Sequence, residues 1–106
     1  MDPLRIHVMP LGRGYLAESR IPAVTALGAS AEEAAENGRL MAIAVFDAFG
    51  SRAHPSTLIV RIDEQGRSAI AMQSIDKPFS LASAGKELGS CYFDSEGNAT
   101  LAGSAV

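Results

Sequence analysis

The sequence predicts a small α+β fold, with a β-β-β-α-β core over residues 4–62 and a C-terminal β-hairpin extension over residues 63–106. Two patterns predict it. Short segments in which apolar and polar residues alternate come first, and this alternation is typical of strands with one buried face. A long apolar helix pattern then precedes a run of β-branched residues, which is the order of a strand–helix–strand crossover. At 106 residues, we expect a single domain.

Three predicted strands precede the helix: Leu4–Met9, Tyr15–Ser19 and Val24–Leu27. In the first strand, Leu4, Ile6 and Val8 share one face and are expected to pack under the helix. The short glycine-containing link to the second strand predicts an antiparallel pair.

The predicted helix begins at Ser30 with a capping box and is about five turns long. The Ser30 hydroxyl can accept a hydrogen bond from the backbone N–H of Glu33, whose own side chain can reach back. Glu32, Glu33 and Glu36 lie in the opening turns, where negative charge complements the helix dipole. Gly50 follows the last apolar position and predicts the helix end.

The run Leu58–Ile62 is almost entirely apolar, which is typical of a parallel strand buried on both faces. We expect it to lie beside Leu4–Met9. The remaining predicted elements are a strand at Ser68–Gln73, a short helix at Leu81–Leu88, and a hairpin of Cys91–Phe93 with Ala99–Ala102.

Composition argues against several classes of protein. The net charge is −3 and no basic ribbon or helix-turn-helix pattern is present, so direct nucleic-acid binding is not expected. A single Cys allows no internal disulfide, and the first residues contain no apolar signal region, so we expect a cytoplasmic protein. The longest apolar run, Leu40–Phe46, is far too short for a membrane span.

No enzymatic activity, metal or cofactor is predicted. His7, His54 and Cys91 have none of the spacings typical of a nucleophile with its base or of a metal site. The glycines at positions 12 and 14 form part of a turn, because the pattern of a phosphate-binding loop does not follow them.

A short series of motifs begins at Tyr15. They are Tyr-x-Ala-Glu, Ile-Pro, a small strand ending at Gly28, and Ser30-x-x-Glu33-Ala34 followed by Asn37. In this order they resemble the N-terminal domain of HicB-type antitoxins over residues 4–62. Ser19-Arg20 is shorter than the family's usual segment before the turn, and Ala23 replaces the usual turn glycine.

The resemblance implies a partial ribonuclease-H-like fold and a non-enzymatic function. Nucleases of that fold need a carboxylate on the first strand to hold divalent metals, and the predicted first strand has none. A HicB-type antitoxin instead binds and masks a small ribonuclease toxin. Such toxins are basic, so an acidic protein complements their charge. The predicted contact residues are Glu18, Arg20, Ile21, Pro22, Glu32, Glu33 and Glu36. The alternative is a stand-alone homo-oligomeric module of the same fold that binds a small ligand or another protein.

The helix has a wider apolar surface than one sheet face covers, and this predicts self-association as a homodimer. The candidate interface residues are Met41, Val45, Phe46 and Phe49. The alternative is that the C-terminal segment covers the helix.

The sheet face away from the helix carries a predicted basic group of Arg5, His7 and Arg61. Such a group could dock an acidic partner or the protein's own tail. The alternative is a solvated face on which these side chains pair with Glu18.

Overall fold

The computed structural model describes residues 2–50, 54–81, 91–93 and 99–101, and is a small α+β domain. Its elements are β1 Leu4–Leu11, β2 Gly14–Arg20, β3 Ala23–Gly28, α1 Ala31–Ala48, β4 Thr57–Glu64, β5 Arg67–Ser74, β6 Cys91–Phe93 and β7 Ala99–Leu101. Strands β1 to β5 form one mixed sheet in the order β3-β2-β1-β4-β5. The predicted parallel pairing of β1 with β4 is confirmed, and every other neighbouring pair is antiparallel.

The buried face of the sheet is lined by aliphatic side chains that alternate along each strand. In β1 these are Leu4, Ile6 and Val8, as predicted, and they are at most 2% exposed. Register places them beside the matching residues of β4, which are Leu58, Val60 and Ile62. Across the outer strands the same face carries small side chains such as Ala17, Ala26 and Ala71. Small residues there let the helix and the chain after β5 approach the sheet closely.

Helix α1 packs mainly on β3 and β2 and less on β1. Ser30 caps it by accepting a bond of 3.0 Å from the backbone N–H of Glu33, which confirms the predicted start. Close contact at this end needs a glycine in β3, because a Cβ on Gly28 would lie 2.3 Å from the backbone nitrogen of Ala34. Gly38 faces Ala17 and Ile6, and the fit there is looser, because a Cβ would lie 3.3 Å and 3.4 Å from their side chains.

The chain after β5 returns along the helix and covers the part of the sheet that α1 leaves open. Ile75, Phe79 and Leu81 are all buried in the core. The buried side chain of Gln73 shapes this segment by donating to the carbonyl oxygens of Lys77 and Pro78. A short covering segment, residues 75–81, is therefore part of the domain core.

Beyond this segment, β6 and β7 pair antiparallel and confirm the predicted second hairpin. Strand β7 lies against β5. The helix predicted at Leu81–Leu88 lies outside the described residues apart from Leu81.

Candidate interaction site

The open face of the sheet holds a polar cluster centred on the Asp63 carboxylate. His7 Nε2 lies 2.5 Å from Asp63 Oδ2, Arg61 Nε donates to the same carboxylate at 3.2 Å, and the Ser68 hydroxyl donates to Oδ1. The bond from Ser68 is the main reason that the pKa of Asp63 lies below its usual value; burial opposes the shift, and His7 and Arg61 reinforce it. The carboxylate is therefore held ionised.

This cluster joins three strands through one carboxylate, because His7 lies on β1, Asp63 and Arg61 on β4, and Ser68 on β5. Ser68 donates to Asp63 and not to His7, so these contacts do not include the serine–histidine hydrogen bond of a nucleophile with its base. His7 lies directly opposite Glu18 in the register of β1 and β2, yet its side chain contacts Asp63 across the parallel pair. Of the predicted basic group, His7 and Arg61 meet at one carboxylate, and Arg5 is exposed on the same face.

A second pair lies on the helix side of the sheet, near the end where α1 begins. Tyr15 Oη donates to Glu64 Oε1 at 2.5 Å and joins β2 to β4 across β1. The hydrogen bond to this carboxylate, together with burial, raises the pKa of Tyr15 to about 12. Sequence patterns did not single out this pair, because its partners are 49 residues apart.

The Tyr15–Glu64 pair predicts a stability change at high pH. The folded pKa exceeds the unfolded value of about 10, so the pair's contribution is complete below pH 10 and is lost as pH rises through about 12. Absorbance titration near 295 nm should show one tyrosine ionising near 12, and Glu64→Gln should bring it closer to 10. The Tyr15→Phe variant, which lacks this group, is the control. Two tyrosines that both ionise near 10 in the folded protein would contradict the pair.

Two of the predicted contact carboxylates hold the covering segment. Glu36 Oε1 accepts the N–H of Phe79 at 2.7 Å, and Glu32 Oε2 accepts the N–H of Leu81 at 3.0 Å. Both oxygens of Glu36 also accept bonds of 2.7 Å from Arg39, whose third nitrogen donates to the carbonyl of Ile75. Burial alone would raise the pKa of Glu36, but the bonds from Arg39 and Phe79 outweigh it, and the pKa is lowered.

Sequence analysis missed Arg39, which is only 5% exposed. The i,i+3 spacing of Glu36 and Arg39 was a usable signal for the ion pair itself. Nothing in that spacing indicates that the guanidinium is buried under a segment 36 residues further along.

The other predicted contact residues lie around strand β3. Arg20 and Ile21 are exposed at the turn that enters β3, where Ile21 is followed by a cis peptide bond to half-buried Pro22. Glu18 is exposed on β2, opposite Thr25 near the middle of β3. Glu32 and Glu33 are exposed where α1 begins, after the other end of β3. The residues of the turn and those of the helix start therefore do not form one patch, because the length of β3 separates them.

Between these ends lies the strand edge and a shallow groove, which we call the β3 edge. Strand β3 is terminal in the sheet, so one side of its backbone has no neighbouring strand among the described residues. The groove beside it is lined by Leu16, Thr25, Ala26, Leu27, Asn37, Leu40 and Met41. Leu27 is 63% exposed, Leu40 50% and Met41 45%. The Asn37 amide donates to the carbonyl oxygen of Leu27 and joins α1 to the strand.

The four predicted oligomer residues divide between the core and the surface. Val45 and Phe46 are half-buried against the domain's own core. The Phe46 ring stacks on the His54 ring with 6.1 Å between the ring centroids. Met41 and Phe49 remain exposed. Of the exposed apolar side chains in this part of the chain, Leu40 and Met41 lie beside β3, and Phe49 lies at the C-terminal cap of α1.

No family model matches the chain, and no curated protein or solved structure matches it either. Within the described ranges, no helix has the length and apolar character needed to cross a bilayer. Over the same ranges, no three His, Cys, Asp or Glu side chains come together as a metal site would require.

Proposed function

We propose that this chain is a non-enzymatic protein-interaction module that resembles a HicB-type antitoxin, and that it binds and masks a small basic ribonuclease. The observation that carries the proposal is that some carboxylates are bonded within the protein while others remain exposed at its surface. Those near the sheet and under the covering segment are bonded to groups of the protein itself: Asp63, Glu64 and Glu36. Those left at the surface of the elements flanking β3 are Glu18 and Glu33.

The arrangement supports contact with a basic surface more than it supports hydrolysis of nucleic acid. A two-metal nuclease needs carboxylates that converge on a shared, open site. Here Asp63 faces the open side of the sheet and Glu64 faces the helix side, so neighbouring acids of β4 diverge. Exposed acids at the helix start are instead available to the cationic side chains of a partner, where they increase association rate and selectivity.

The test asks whether the genes beside this chain encode a short basic protein and whether that protein binds it. We expect the purified pair to form a stable complex, the complex to block RNA cleavage, and its affinity to fall with increasing salt. Glu33→Gln should weaken binding by up to about fivefold, because an exposed charge pair is worth less than about 1 kcal/mol. Glu33 is the informative site since its carboxylate, unlike that of Glu32, makes no hydrogen bond to the described residues.

Asp47→Asn is the matched control, because Asp47 is also an exposed acid and lies at the other end of the same helix. It should leave the affinity unchanged. The proposal fails if the adjacent genes encode no short basic protein or if the one they encode does not bind. The stand-alone homo-oligomeric module then becomes the better interpretation, and the uncharged β3 edge is the observation that favours it.

A further inference from the structure

We infer that the β3 edge binds a second copy of this chain, so that two β3 strands pair antiparallel across a two-fold axis and join the two sheets into one. The β3 edge runs between the acids of the proposed ribonuclease contact and borders Glu18, which lies opposite Thr25 on β2.

Strand β3 has none of the features that usually prevent an exposed edge from pairing. Its six residues, Ala23–Gly28, include no Lys, no other charged residue and no Pro. All six pair regularly with β2 and form no bulge. The opposite edge of the sheet differs, because β5 is contacted by the β6–β7 hairpin. Among the described strands, β3 thus has the sheet edge best suited to pairing with another strand.

The geometry of an antiparallel two-fold pair agrees with where the apolar side chains lie. Directly opposed residues in an antiparallel pair point to the same side of the sheet, so the helix face of one copy continues into the helix face of the other. Because α1 packs mainly on β3, the two helices come to lie side by side above the joined strands. Leu40 and Met41, which line the groove beside β3, then face their equivalents.

The charge of this surface favours a second copy over a basic partner. The residues that line the groove, and those of β3 itself, carry no charge. These residues offer a cationic ribonuclease no counter-charge, whereas an uncharged surface needs none to pair with itself. An isologous contact also places each large exposed side chain against another of the same surface, which is how closed dimers bury apolar area. Leu27, Leu40 and Met41 would all lose solvent contact in this way.

Thr25 is the residue at which the β3–β3 pairing can be tested, since it is exposed and lies near the middle of β3. The Asn37 bond occupies the Leu27 carbonyl and leaves Ala23–Ala26 as the open stretch, which keeps Thr25 at or next to the axis. A charge placed at Thr25 therefore meets the same charge of the second copy or lies within one residue pair of it.

The experiment measures mass by light scattering, with Thr25→Lys and Thr25→Glu compared with the original protein. We expect the original protein to have twice the 11.1 kDa mass of one chain at micromolar concentration. Each variant alone should dissociate, with affinity lowered on the order of a hundredfold by like-charge contact. An equimolar mixture of the two variants should restore the dimer, because Lys then faces Glu.

Ile70→Lys and Ile70→Glu are the matched controls, because Ile70 is also exposed and lies on β5 at the far side of the sheet. They should leave the mass unchanged, and circular dichroism should show that all four variants are folded. A monomeric original protein would overturn the inference. So would a dimer that persists in both Thr25 variants, or one that only the Ile70 variants disrupt.

Discussion

Replacing Glu36 by alanine is expected to destabilise the fold by about 3 kcal/mol, because the change leaves a buried guanidinium without its counter-ion. Arg39 is 5% exposed, and Glu36 bonds two of its nitrogens. The same carboxylate accepts the backbone N–H of Phe79, so the variant also loses an attachment of the covering segment. Urea unfolding followed by circular dichroism measures the change in free energy of unfolding at pH 7.

The matched control is Glu33→Ala, which removes an exposed acid from the neighbouring turn. It should cost less than about 1 kcal/mol, since only its interaction with the helix dipole is lost. Equal effects of the two substitutions would mean that the buried pair contributes no more than a surface charge.

Glu36 also predicts a stability change in acid. Its pKa is lowered by folding, so its contribution is complete above the usual carboxylate range and is lost as pH falls through the lowered folded value. The original protein should therefore lose more stability below about pH 4.5 than Glu36→Ala does. Parallel pH curves for the two proteins would contradict this role.

Replacing Gly28 by alanine is expected to cost about 3 kcal/mol or more, since the added methyl group has no room. Its Cβ would lie 2.3 Å from the backbone nitrogen of Ala34 and 2.7 Å from its Cα. Both atoms belong to the helix backbone and cannot rotate away, so the first turns of α1 would have to move from β3. The loss should appear as a lower urea midpoint together with reduced helical ellipticity.

Gly38→Ala is the control for this effect. A Cβ there would meet the Ala17 side chain at 3.3 Å and the Ile6 side chain at 3.4 Å, contacts that small shifts can relieve. Alanine also stabilises the helix by about 1 kcal/mol relative to glycine. The net change should be small, and a loss as large as that of Gly28→Ala would mean that side-chain crowding, and not the backbone contact, limits the packing of α1.

The sequence by itself predicted those features that depend on local chemistry or on periodicity. Alternation along β1 identified which side chains face the helix, because a two-residue period places every second side chain on the same face. The apolar run in β4 indicated the parallel pair with β1. The Ser30 cap followed from a side chain and a backbone N–H three residues apart. Interactions of this range are visible in any short window of the chain.

The tertiary structure alone decided which partners the polar side chains have. His7 meets Asp63 across 56 residues, and Glu32 meets the N–H of Leu81 across 49. The return of residues 75–81 along α1 buries Arg39 and covers the rest of the core, while Leu40 and Met41 stay exposed beside the β3 edge. No local pattern specifies such contacts, because their geometry depends on how separate elements pack, and packing is settled only when the whole chain is folded.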